Sequence, residues 1–133
     1  MVFAGINYLS ILIAVIVSMM AGAAWYGIFA KQWMAAAGLK EEELDQSATK
    51  YAIAAICQLI MAYLMAGLIG HMGEITLMNG LIAAGFAWLG FCVAPMAVNH
   101  RFQGAGWNLT LIDGGYWLVV FLLQGAIIGW MGV

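Results

Sequence analysis

Four long apolar stretches, separated by three short polar ones, account for nearly the whole chain. The first covers 6–29 and contains the unbroken block from Ile11 to Val17. A polar connection from Lys31 to Lys50 follows, interrupted by Gly38. The second stretch covers 51–70 and closes on the tight connection His71-Met-Gly-Glu74. The third covers 76–98, with Pro95 near its end, where a missing amide donor predicts a kink. A glycine-bearing loop from Asn99 to Asn108 leads to the fourth, 110–130, with Asn108 or Asp113 as its capping residue. A helix needs about 20 residues to cross the hydrocarbon of a bilayer. The pattern therefore predicts an all-α membrane protein, a four-transmembrane-helix bundle forming a single domain over 1–133.

Polar residues inside these stretches recur on single helix faces. Asn7 and Ser18 are eleven apart, close to three turns, and Gly22 and Trp25 continue their stripe. Tyr51, Gln58 and Met65 repeat at seven, as do Gly85, Cys92 and Asn99; Asp113 and Gln124 are again eleven apart. Polar groups in lipid are costly and turn inward, so these faces are expected to build the bundle interior. Gly125-Ala-Ile-Ile-Gly129 is a small-xxx-small pattern suited to close helix approach, within the chain or between copies.

Composition removes a water-soluble alternative. Of 133 residues, 66% are hydrophobic and 8% charged, against about 25% charged in an ordinary soluble domain. Four of the ten charged residues sit between Glu41 and Asp45, and one helical turn is expected over Glu41 to Leu44. The net charge of −2 and the four basic residues do not suit nucleic acid. Ala21-Gly-Ala23 resembles a signal-peptide cleavage site. However, no Lys or Arg precedes it and the apolar run continues through Phe29, so the first stretch reads as a retained span. Cys57 and Cys92 both lie in apolar runs and form no disulfide framework.

All four basic residues, Lys31, Lys40, Lys50 and Arg101, fall in the first and third loops. By the positive-inside bias those loops are cytoplasmic and both termini lie on the outer side. Trp25, Tyr26, Lys31 and Trp33 then read as interfacial anchors at the inner end of the first helix. Gln58, Asn99, His100 and Asp113 fall in the cytoplasmic half and, with Gln124, form the candidate intramembrane polar site. Gly22, Gly125 and Gly129 are the candidate packing residues. His71 and Glu74 are three apart but sit among glycines in a turn, too few for a metal site.

Gly22-Ala-Ala-Trp-Tyr-Gly27, Phe29, Lys31-Gln-Trp-Met34, Gly38-Leu39 and Glu41-Glu42 together resemble a family known as domain of unknown function 1761. Asn7-Tyr8, Trp88-Leu-Gly-Phe91, Pro95, Asn99 and Leu111-Ile-Asp-Gly-Gly-Tyr116 extend the resemblance over essentially the whole chain. Lys40 stands where Thr or Ser is expected, and Trp117 where a histidine is common in similar sequences. The resemblance implies a small, mainly bacterial, integral membrane protein and carries over no catalytic residue.

The expected protein is thus a multi-pass component of a bacterial inner membrane. No catalytic set, cofactor or metal is expected. Its partners would be membrane lipids and further copies of the chain or a larger membrane complex, in a non-catalytic binding or assembly role. The alternative is a small oligomeric transporter or channel built on an inward-facing polar site around Asp113 and Gln124, which would need the two residues to line one continuous cavity.

Overall fold

A computed structural model describes residues 5–45 and 47–132. Its helices are α1 (Tyr8–Ile28), α2 (Ala30–Ala37), α3 (Ala48–Met72), α4 (Leu77–Trp88), α5 (Ala94–Phe102) and α6 (Trp107–Met131). One wide π turn, Leu89–Val93, joins α4 to α5 in a continuous 26-residue rod. Four helices in all, α1, α3, this rod and α6, are long and apolar enough to cross a membrane. The architecture is a four-helix membrane bundle, and α6 is its hub, packing against α1, α2, α3, α4 and α5.

The packing is that of a protein solvated by lipid. Buried positions are mostly small: Ser10, Ala14 and Ser18 on α1, Ala62, Ala66 and Gly67 on α3, Gly80, Ala83 and Ala84 on α4, Gly125 and Gly129 on α6. Large apolar side chains such as Leu12, Ile16, Ile56, Leu64, Met78 and Phe86 point outward. Lipid tails are as apolar as leucine, so burying large side chains gives no drive to association, and small residues let backbones meet closely instead. At Gly80 and Gly125 the α4 and α6 backbones approach so closely that a methyl on either would overlap the other's carbonyl oxygen. At Gly129 a methyl would overlap the Thr76 carbonyl.

Helix starts carry local signals. Asn7 caps α1 by accepting from the Leu9 and Ser10 amides at 3.1 and 3.3 Å. Thr76 caps α4, accepting from the Asn79 amide at 3.1 Å. Ser47 occupies the N-cap of α3 but makes no side-chain cap bond. Its amide instead donates to Asp45 Oδ1 at 2.9 Å. α3 also runs past the expected boundary to Met72, so His71 belongs to its last turn.

Three expectations are corrected. The fourth helix begins at Trp107 with Gly106 at the N-cap, so neither Asn108 nor Asp113 caps it. Arg101 Nη2 donates to the Gly106 carbonyl at 2.9 Å and ties the turn there, ahead of both residues. The polar connection after α1 contains the helix α2, which stops at Gly38 in left-handed backbone (φ 69°). Ala30, Trp33, Met34 and Ala37 make its inward face and Lys31, Gln32 and Ala35 its outer one, a helical spacing hidden by the local charge. Finally, the stripe Gly85, Cys92, Asn99 is not the buried face of the third span. Gly85 and Cys92 are partly exposed and Asn99 is exposed. Gly85 is already off the face that buries Gly80, Ala83 and Ala84; beyond it Ala94 N–H bonds the Leu89 carbonyl five residues back, and the extra residue rotates the downstream face. This π turn lies just before Pro95, whose missing N–H would otherwise have bonded the Phe91 carbonyl.

Candidate functional site

Where α1 ends and α6 begins, three side chains cross between helices. Trp25 Nε1 donates to the Ile112 carbonyl at 3.0 Å and Tyr26 Oη donates to Asp113 Oδ1 at 2.6 Å. From the rod, Trp88 Nε1 donates to the Gly114 carbonyl at 2.8 Å. Trp25 and Tyr26 are thus half-buried and tie α1 to α6. Lys31 is exposed on α2, and Trp33 turns back so that its ring meets Tyr26 edge-on at 5.8 Å. Gly22 lies under the Tyr116 ring, where a Cβ would stand 2.9 Å from the hydroxyl.

The polar residues expected to form one site are distributed over separate contacts. Gln58 is 2% exposed and its Nε2 donates to Tyr116 Oη at 2.8 Å, leaving Oε1 unpartnered. Gln124 is fully buried, and its Nε2 reaches Ser18 Oγ at 3.4 Å. His100 Nδ1 lies 2.7 Å from Thr110 Oγ1, to which Arg101 Nη2 also donates at 2.8 Å. The Arg101 guanidinium stacks 3.7 Å from the centre of the Trp107 ring. Asn99 stays exposed. Gln124 is eleven residues beyond Asp113, roughly 16 Å along α6. Gly125 and Gly129 are covered by α4 within the chain, so this small-residue face is not available to a second copy.

Two cavities adjoin at the α2 end and share Tyr26, Tyr51 and Trp117 in their walls. The outer one, about 480 Å³, is bounded by Trp33, Asp45, Lys50 and Asp113. The deeper one, about 560 Å³, lies between α1, α3 and α6 and is bounded by Met19, Gly22, Ala54, Gln58 and Tyr116. An aromatic ladder lines them: Tyr26 meets Tyr116 edge-on at 5.1 Å, and Tyr116 meets Trp117 at 4.8 Å. Gln124 lines neither cavity. At the rim, Lys50 Nζ donates to the Asp45 carbonyl at 3.0 Å. The Ser47 amide and hydroxyl hold the exposed Asp45 carboxyl below the usual carboxylate range. Asp113 makes no salt bridge among the described residues.

Tyr116 was not among the sequence candidates. A signal for it exists: it lies three residues after Asp113, hence on the same α6 face. Trp117, four residues after Asp113, and Tyr51, seven before Gln58, carry the same kind of spacing signal, but that the two share a wall depends on how α3 and α6 cross.

This arrangement defines a multi-pass α-helical membrane protein with an aromatic-walled opening at one end of its bundle. The chain belongs to the family described as protein of unknown function (DUF1761), whose model matches residues 9–129. No curated protein and no solved structure matches it.

Proposed function

We propose that this protein is a non-catalytic binding module of a bacterial inner membrane that holds a small amphiphile in the paired cavities at the α2 end. The observation that carries the reading is the contrast within the bundle. Around Gly80, Gly125 and Gly129 the backbones touch. At the α2 end two adjoining spaces of about 480 and 560 Å³ stay open, the larger between α1, α3 and α6 and the smaller also walled by α2 and the loop before α3. Each is within the roughly 300–1,000 Å³ typical of small-molecule sites. The deeper wall is mostly apolar and the outer wall carries Asp113, Asp45 and Lys50, a gradient that suits an apolar body below a polar head. Gln124 lies outside both cavities, which speaks against a continuous polar path from Asp113 across the membrane.

The test is native mass spectrometry of the full chain after gentle extraction. The wild-type protein is expected to retain a bound small molecule. Ala54→Phe, which fills the deeper cavity, is expected to lose it while remaining folded by circular dichroism. A wild-type protein free of any adduct, or an adduct retained equally by the Ala54→Phe protein, would overturn the proposal.

A further inference from the structure

We infer that the head bound at the outer cavity is a lipophilic organic cation; this rests on the binding role proposed above and names its ligand class. Asp113 is the seventh residue of α6, about 9 Å along the helix from its first residue, and its side chain is half-buried. A carboxylate at that depth normally has a partner of opposite charge. Among the described residues its hydrogen-bond partner is a phenol, Tyr26, on one oxygen. Lys50, the basic residue in the same wall, directs its ammonium to the Asp45 carbonyl. The wall therefore holds two carboxylates against one ammonium.

The surroundings select among cations. Tyr26, Trp33, Tyr51 and Trp117 share the cavity wall with Asp113. Aromatic faces attract cations whose charge is spread over an apolar body, most of all when water is excluded. They offer nothing to a small hydrated ion, which needs several oxygen ligands. At the same end of the bundle the Arg101 guanidinium lies 3.7 Å from the centre of the Trp107 ring. The excess of carboxylates disfavours a phospholipid headgroup, whose phosphate would enter with its amine, so the ligand is a free cation rather than a bilayer lipid.

The experiment is equilibrium dialysis of the full chain in maltoside micelles against tetraphenylphosphonium, with triphenylphosphine oxide as a neutral probe. Saturable binding of the cation is expected, weakened about tenfold or more by Asp113→Asn and by Trp33→Ala, and restored by Asp113→Glu. Binding of the neutral probe should not change between wild type and Asp113→Asn, which also shows that the variant is folded. Equal cation affinity in wild type, Asp113→Asn and Trp33→Ala would overturn the inference. So would displacement of the cation by added phosphatidylethanolamine. If the native protein holds an adduct but no cation, the binding role stands and the cation fails; if it holds neither adduct nor probe, both fail.

Discussion

Tyr26 and Asp113 lie 87 positions apart in the chain, yet the Tyr26 hydroxyl donates to the Asp113 carboxylate at 2.6 Å. The bond fastens the end of α1 to the first third of α6 and fixes the carboxylate in the cavity wall. Tyr26→Phe keeps the ring and removes the donor. It is expected to lower stability by about 1–2 kcal/mol, the upper range for interhelical bonds in membranes. Thermal unfolding in detergent measures this. In Asp113→Asn the same substitution should cost less, because the charged acceptor is already gone.

Backbone proximity between α4 and α6 gives a second prediction. Gly80→Ala and Gly125→Ala each place a methyl against a carbonyl oxygen that cannot move independently of its helix. Each is expected to destabilise by about 1–3 kcal/mol or to prevent assembly. Gly85→Ala, where nothing lies within 4 Å of the added carbon, should be neutral or slightly stabilising, by up to about 1 kcal/mol. Unfolding midpoints of the three proteins compare them directly.

The Gln58–Tyr116 bond is buried and already leaves one amide oxygen unpartnered. Tyr116→Phe strands the whole amide and should cost about 1–2 kcal/mol. Adding Gln58→Leu removes the stranded group, so the double variant should be more stable than Tyr116→Phe alone. A double variant equal to or below the single one would show that the amide contributes through something other than this bond.

Asp45 supplies a pH dependence. Its carboxyl is held below the ordinary range, first by the Ser47 amide. A depressed native value means the ionised form supports the fold. That support is complete above the ordinary aspartate range and is lost as pH falls through the native value. Amide exchange at Ser47 and the first turn of α3 should therefore quicken on acidification, and Asp45→Asn should reduce the dependence.

The distribution of basic residues gives an orientation to test. In a Cys57→Ala, Cys92→Ala background, Glu43→Cys is expected to react with an impermeant maleimide only from the cytoplasmic side, and Glu74→Cys only from the outside. The reverse labelling would invert the assigned sidedness.

The four apolar spans could be read from sequence because each is long and nearly free of charge. Single-helix spacing also pointed to Ser18, Gln58 and Gln124, all now seen buried. What sequence spacing cannot carry is the pairing of helices distant in the chain. Gly80 becomes significant only once Gly125 is seen opposite it. Trp25 and Tyr26 read as anchors because aromatic residues near a helix end commonly sit at the interface; their bonds to Ile112 and Asp113 need the α1–α6 crossing. The Gly85, Cys92, Asn99 stripe misled for a different reason. It starts at Gly85, off the face that buries Gly80, Ala83 and Ala84, and beyond Gly85 the turn before Pro95 inserts one residue into the helical period that an extrapolated heptad assumes.

With its bulky residues outermost and its smallest ones at the centre, this molecule is vulnerable to growth rather than to loss. Trimming Leu12, Ile56 or Phe86 surrenders contacts that acyl chains replace, whereas one added carbon on the central axis separates two helices along their length. Over generations, drift in such a chain would run freely on the outside and be barred within.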